Sequence, residues 1–408
     1  MSIFQKEVLD PVRNAMDGKI LQIPTHLERF KDIVSIKKNI YTVIAGNSGS
    51  GKTSLLDDVY VLNPYMWWQA NKDKTDVTFK VLYRSMERSR SQKLAKWACW
   101  KLNQDYGALI DSDTLLGYKK TKINEDVWNA IVMCRDWADE MLDYTDIRDG
   151  RTTPSEYNSW IINHALKHGT LFLSDLDGVY DAKTPKNYIT RFSEWEFITL
   201  KNGDKELVCS FKKGDTTVQM RQNTRFYIPD RPNEITVVIA DHVGKTKTEQ
   251  GLSSDKQVID AVSGYNSDAR DIFGYSPVLV SQLNRDIGNI QRVKYSDGDL
   301  APQLEDLKGS SCTTEDADLV LSLFNPFRYK SYDDNGMYKG YNIRDNMVSP
   351  LGYNRYRLLS ILKNSYGVDD VDFGLRFWGE VNAFATLPKY DSDLHELQKV
   401  YNEIQQGK

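Results

Sequence analysis

Eight consecutive residues, Gly46-Asn47-Ser48-Gly49-Ser50-Gly51-Lys52-Thr53, match the pattern G-x-x-x-x-G-K-[ST], whose residue types and spacing suit the cradling of a nucleoside triphosphate. Gly46, Gly49 and Gly51 let the backbone curl so that successive N–H groups, those of Asn47, Ser48 and Ser50 included, point inward at phosphate oxygens beside the positive end of a helix dipole. Lys52 is placed to reach the β and γ phosphates and the Thr53 hydroxyl to ligate Mg²⁺, with Ser54 continuing the binding segment. With Gly at ~7 % of residues, the four fixed positions coincide by chance in roughly one chain in a hundred of this length. The flanks argue against coincidence. Ile40-Tyr41-Thr42-Val43-Ile44-Ala45 is an apolar, β-branched run suited to a buried strand, and Thr53-Ser54-Leu55-Leu56 opens a helical pattern, giving the required order of strand, loop and helix.

The elements that must position this loop come from the rest of the 408 residues, a length that accommodates one large α/β domain with insertions or two domains. The formal net charge of −4 argues against a surface that coats nucleic acid indiscriminately and leaves room for a local basic strip. Cys99, Cys134, Cys209 and Cys312 form no C-x-x-C pair, which fits isolated thiols in a reducing compartment. The N-terminus lacks a signal-peptide apolar core and no run of about eighteen apolar residues occurs, so a cytoplasmic protein without a membrane segment is expected.

Residues 1–22 read as an amphipathic arm, with Phe4, Val8, Leu9, Val12 and Met16 near helical spacing and Pro11 early enough for a first turn. Core strands are expected at Tyr41–Ala45, Val77–Tyr83, Ile235–Ala240, Pro277–Ser281, Leu319–Phe324 and Arg357–Lys363, with helical patterns between most of them. A mainly parallel α/β sheet flanked by helices follows. Residues 100–168 are helix-like, with Trp128, Ile131, Val132, Cys134, Trp137, Ala138 and Met141 spaced as a buried stripe. Between 170 and 230 strands separated by Asn-Gly and Gly-Asp turns predict a β-rich insertion. The expected organisation is an arm at 1–22, the sheet domain in two parts at 23–169 and 231–390 around the 170–230 insertion, and a C-terminal tail at 391–408, whose polar end Tyr401–Lys408 is expected to fray.

Further motifs narrow the chemistry. Ser85-Met86-Glu87-Arg88-Ser89 follows the second strand, Val237–Ala240 ends in Asp241-His242, and Val280-Ser281-Gln282-Leu283-Asn284-Arg285 ends the fourth strand in an amide. Asp306-Leu307-Lys308-Gly309-Ser310-Ser311 comes next, with Asp316-Ala317-Asp318 eight residues after Lys308, and Ile23-Pro24-Thr25 stands upstream. In this order the chain resembles the RecA-like motor domain of DnaB-type replicative helicases, in a minimal, phage-like version, over roughly residues 20–385 apart from the insertion.

The resemblance implies a fold, RecA-like, and roles. Glu87 becomes the general base that polarises the attacking water. Asp241, at the carboxyl end of a strand, holds Mg²⁺ through water. Gln282 senses the γ-phosphate, an amide being able to donate to it and accept from water. The loop from Arg285 to Thr313, carrying Arg292, Lys294, Lys308, Gly309 and Ser311, faces the channel of a homo-hexameric ring and tracks single-stranded DNA phosphates without reading bases. Residues 244–249 form a weaker second loop, since Glu249 offsets part of its charge.

The departures are specific. The family's K-x-R-x-G turn, which reaches into a neighbour's ATP site, reads Lys363-Asn364-Ser365-Tyr366-Gly367, so Lys363 remains while serine replaces the arginine finger. Three outcomes stay open: Lys363 suffices, Arg355 or Arg357 on the same strand substitutes, or hydrolysis is slow. Only 45 residues precede the loop, too few for the helical collar where relatives meet primase, and the arm is instead a candidate linker helix. The expected activity is an ATP- and Mg²⁺-dependent helicase acting in replication, with a primase or loader as a candidate partner, in the host cytoplasm if phage-encoded. The rival readings are a filament-forming recombinase or loader ATPase, and an ATP-binding scaffold with slow turnover.

Overall fold

The computed structural model describes residues 4–17, 21–119, 123–199, 203–283, 299–307 and 311–407. Its centre is a nine-stranded sheet, whose strands we number in chain order: β1 Thr42–Gly46, β2 Thr78–Ser85, β3 Thr145–Asp149, β4 Glu234–Asp241, β5 Ser276–Gln282, β6 Leu319–Phe324, β7 Tyr356–Asn364, β8 Val371–Trp378 and β9 Ala383–Thr386. The spatial order is β9-β8-β7-β6-β1-β5-β4-β2-β3. Every pairing from β6 across to β3 is parallel, and β7, β8 and β9 extend the sheet antiparallel.

Continuous apolar strands arise because both faces of the sheet are covered. Ile44 in β1 and Ile235, Val237 and Ile239 in β4 point into one core, which also holds Leu55, Trp97 and Trp100. Val43, Ala45, Val238 and Ala240 point into the other, with Tyr157, Ile161 and Val262. The six strands expected from sequence all fall in this sheet. Edge strand β3, inside the segment read as helical, and strands β8 and β9, of which β9 forms the other edge, are not among the expected strands.

Helix Glu125–Asp143 corrects the expected stripe. Ala130, Cys134, Trp137 and Met141 are buried, whereas Trp128 is 57 % and Val132 44 % exposed. The buried set repeats at i, i+4, i+7 and i+11, one helical face, and residues 128 and 132 lie off it. The polar tail also departs from expectation. Leu394–Gln405 is helical and packs Leu397, Tyr401 and Ile404 into the second core. The arm forms helical turns at Gln5–Leu9 and Asp10–Met16, and helix Asp10–Met16 has no buried residue.

Between Gly169 and Pro229 the chain makes two antiparallel sheets around a small core of Phe172, Val179, Trp195, Cys209, Val218 and Met220. Lys213 pairs with Thr216 across Gly214-Asp215, where Gly214 has φ 58°, as a two-residue hairpin requires. Cys99, Cys134 and Cys209 are buried free thiols. Among the described residues no helix is long and apolar enough to cross a membrane.

The segment after the phosphate loop is anchored by Asp58, 1 % exposed, which accepts from Trp100 Nε1 (2.8 Å), Asn63 Nδ2 (2.7 Å) and the Phe384 N–H (2.8 Å). His26 Nε2 lies 3.2 Å from the same carboxylate. Burial pushes the imidazole down, but the Asp58 charge and hydrogen bonds to Asp58 and Phe384 prevail, and its pKa is raised above 6.5. A raised value in the folded state favours folding when the ring is protonated. The stability difference between the wild type and His26→Gln, measured by urea unfolding, is therefore expected to be full below about pH 6 and to shrink as pH climbs past the raised value.

Candidate nucleotide site

The strand order brings four sequence segments to one edge of the sheet. β1, β5, β4 and β2 lie side by side in that order and run parallel, so their carboxyl ends, carrying the glycine-rich loop, Gln282, Asp241 and Glu87, open on the same side. Gly46 is required by packing, because a Cβ there would lie 2.5 Å from Leu323 O in β6. Gly51 has φ 104° and sits against Phe377 and Phe384, so the turn into helix Lys52–Asp57 needs glycine. Lys52 Nζ donates to Gly46 O (2.7 Å) and Asn47 O (3.0 Å), which holds the ammonium at the mouth of the loop. Burial lowers its pKa to about 8, against the opposing pull of Asp241 and Glu87. Asn47 Nδ2 and Ser50 Oγ are buried without a partner among the described residues, as fits a loop built to receive a ligand rich in oxygen. The cleft, of about 350 Å³, is lined also by Ser48, Gly49, Thr53, Arg88 and Lys96. Ser54 is turned to Asn382 Oδ1 (2.8 Å), which also accepts from Lys96.

Behind the loop stands a buried ionic cluster absent from the sequence reading. Thr53 Oγ1 donates to Asp241 Oδ1 (3.0 Å), and Tyr83 Oη and Lys93 Nζ each lie 3.0 Å from Asp241 Oδ2. Lys93 also contacts both oxygens of Asp57 at 3.1 Å, and Tyr83 donates to Asp57 Oδ1 at 2.8 Å. Lys93 is 0 % exposed and the two carboxylates 1 %. Burial raises Asp57; at Asp241 burial pushes the same way but is outweighed by Lys93 and by hydrogen bonds from Lys93, Thr53 and Tyr83, which hold it below the usual range. The sequence did contain a signal: Lys93, Trp97 and Trp100 stand at i, i+4 and i+7, placing a lysine on the buried stripe of helix Arg90–Tyr106.

Glu87 lies in the turn between β2 and that helix. Ser85 Oγ donates to Arg88 O (2.7 Å), and Ser89 caps the helix in a capping box with Gln92, so the turn is fixed from both ends. The Glu87 side chain is 49 % exposed and faces the cleft, 3.9 Å from His242 Nε2. His242 Nε2 in turn lies 2.9 Å from Gln282 Nε2. His242 follows Asp241 directly, so its position was legible although its contacts were not.

The basic candidates divide by place. Arg357 is 6 % exposed, donates to Ser50 O (2.8 Å) of its own loop and covers the Phe377 ring. Burial and Arg355 push it down to about 10. Arg355 is 3 % exposed and paired with Glu380. Both candidate finger replacements are thus buried and engaged within their own chain. Lys363 sits at the opposite end of β7, paired with Val320, and donates to Thr314 O (2.8 Å) and Glu315 O (3.1 Å). Arg328, unforeseen, donates to Ser48 O. Arg292, Lys294, Lys308 and Gly309 lie outside the described residues, and of Ser311 the backbone alone is described, opening helix Ser311–Asp316.

Next to the phosphate loop a cavity of about 580 Å³ is lined by Phe327, Tyr353 and Phe377 together with Arg328, Arg355 and Gly49. Removing the shared cation tests the ionic cluster. Lys93→Met leaves two buried carboxylates uncompensated and is expected to destabilise the fold by ~3–5 kcal/mol in urea unfolding. Adding Asp57→Leu should recover much of that loss, since the lysine and one carboxylate then leave together; a double variant no more stable than Lys93→Met contradicts the shared pairing.

No family model matches the sequence, and comparison with curated proteins gives no match. Solved structures do match. One, the structure of an ATPase domain, superposes with a TM-score of 0.57 at 14 % identity, covering 95 % of this chain and 100 % of that one. A DnaB-like replicative helicase, whose structure was described with its interactions with primase, gives 0.57 at 14 % identity over 94 % of this chain and 68 % of that one. The chain therefore has the RecA-like fold of the ATPase domain of DnaB-type replicative helicases.

Proposed function

We infer that the chain is a nucleoside-triphosphate-hydrolysing motor that translocates on single-stranded DNA as a homo-hexameric ring and unwinds duplex during replication. The observation that carries the reading is the meeting of the phosphate loop, Asp241, Glu87 and Gln282 at one sheet edge. ATP would lay its phosphates on residues 46–54 and its base in the aromatic cavity, which shares Gly49, Phe377 and Gly379 with the phosphate cleft.

Thr53 and Asp241 present a hydroxyl and a carboxylate oxygen 3.0 Å apart, a donor set that suits a hard divalent cation. Mg²⁺ held there would neutralise charge on the β and γ phosphate oxygens. Lys52 adds charge from the loop side. Glu87 orients the attacking water, and its exposure on the cleft leaves that water room. Gln282 reads the γ-phosphate. Lys363, distant from its own loop along β7, would serve an adjacent copy, and its bonds to helix Ser311–Asp316 would link that role to the last of the candidate DNA-contacting residues, Ser311.

ATPase rates with and without single-stranded DNA, with Lys52→Ala as blank, test this reading. DNA should stimulate the wild type, and Glu87→Gln should lower turnover ~100-fold or more while sparing nucleotide binding. A wild-type rate equal to the blank overturns the motor and favours a scaffold; a length-variable assembly on DNA in place of a closed ring favours the recombinase or loader.

The trans role of Lys363 has its own check. Lys363→Ala should cost at least ~tenfold in rate at unchanged nucleotide affinity. Mixing it with Lys52→Ala should restore activity, because some interfaces then pair an intact Lys52 with an intact Lys363; a mixture no faster than its parts argues for action within one chain.

A further inference from the structure

His242 has no part in the reading above, yet it occupies the middle of the cleft's catalytic edge. Its backbone has φ 80°, in the left-handed region, and the residue is only 7 % exposed. A residue bearing a side chain is held there when its surroundings over-determine it, and such positions cluster at functional sites. Two neighbours are close. Nε2 lies 2.9 Å from the side-chain amide of Gln282 and 3.9 Å from Glu87 Oε2.

The other ring nitrogen settles which proton is present. Nδ1 is buried with no partner among the described residues. A buried lone pair without a donor is tolerated better than a buried N–H without an acceptor, so the proton belongs on Nε2. The Gln282 amide then turns its oxygen toward the ring, its oxygen and nitrogen ends being interchangeable in position. One N–H therefore faces two acceptors, the amide oxygen within hydrogen-bond distance and the carboxylate just outside it.

We propose that His242 is a positioning residue that couples Gln282 to Glu87, making detection of the γ-phosphate and alignment of the water-orienting carboxylate a single event. The proposal rests on the hydrolytic reading of this site. When Gln282 turns its amide to a γ-phosphate oxygen, the Nε2–H is released, and a shift of about 1 Å brings it to Glu87. One carboxylate oxygen is then held and the other is left for the water. The imidazole stays neutral throughout, and no covalent bond is made or broken in this step.

The test compares the wild type, His242→Ala and His242→Gln, which keeps an N–H donor at similar reach. Three quantities are read: kcat for ATP hydrolysis, affinity for ATPγS, and affinity for ADP with aluminium fluoride, which mimics the transferring phosphoryl group. His242→Ala is expected to lower kcat and the aluminium fluoride complex's affinity by about tenfold or more while ATPγS affinity stays within about twofold, with His242→Gln recovering at least part of both losses. Unchanged kcat in His242→Ala, an equal loss of ATPγS affinity, or a glutamine variant as slow as the alanine one overturns the proposal. Lys52→Ala separates the two levels of inference: a wild type no faster than this blank removes the hydrolytic reading and the coupling with it, whereas a fast wild type matched by His242→Ala removes the coupling alone.

Discussion

A sheet buried on both faces can offer chemistry only at the ends of its strands. Here β1, β4 and β5 are apolar on both sides, so no polar group along them can meet solvent without opening a core. Parallel pairing then decides which ends matter. Because β1, β2, β4 and β5 run the same way, residues far apart in sequence arrive at one edge without any long-range contact having to select them individually. The glycine at position 46 follows from the same crowding, since β6 passes too close for a side chain.

The edge is held together by charge placed where water is excluded. Lys93 joins the helix after the loop, through Asp57, to the end of β4, through Asp241, and Tyr83 ties both to β2. Such a cluster is costly to desolvate and rewards only good geometry, which makes it a stiff joint between three elements more than a source of net stability. Thr53 and Asp241 are thereby fixed relative to each other from behind, leaving the cleft side free.

Much of the fold was legible because its signals are local. The octet at 46–53 and the unbroken apolar runs each name an element by themselves, and six strands, the insertion and the order of the polar strand ends could be read from them. What could not be read depends on neighbours far along the chain. Trp128 and Trp137 are the same residue type on one helix, and only packing decides that one faces water. Arg357 and Lys363 share a strand, but their opposite ends acquire meaning only once β7 is seen to run antiparallel to β6. Tyr401 and Ile404 lie in a polar tail whose apolar spacing is brief, and the cavity they fill belongs to other elements.

The insertion leaves and re-enters the sheet domain through a narrow neck. Gly169 and Pro229 are cross-strand partners, so the two points of departure are neighbours in space, and the chain re-enters just before the start of β4, the end of that strand remote from Asp241. Loop-closure entropy depends on the separation the host imposes on a segment's ends, and here the host imposes almost none. The residues beyond that neck form a sidecar whose length and surface can change without altering the host's chain path, whereas Leu171 and Tyr227 at its base are packed into the second core and belong to the host.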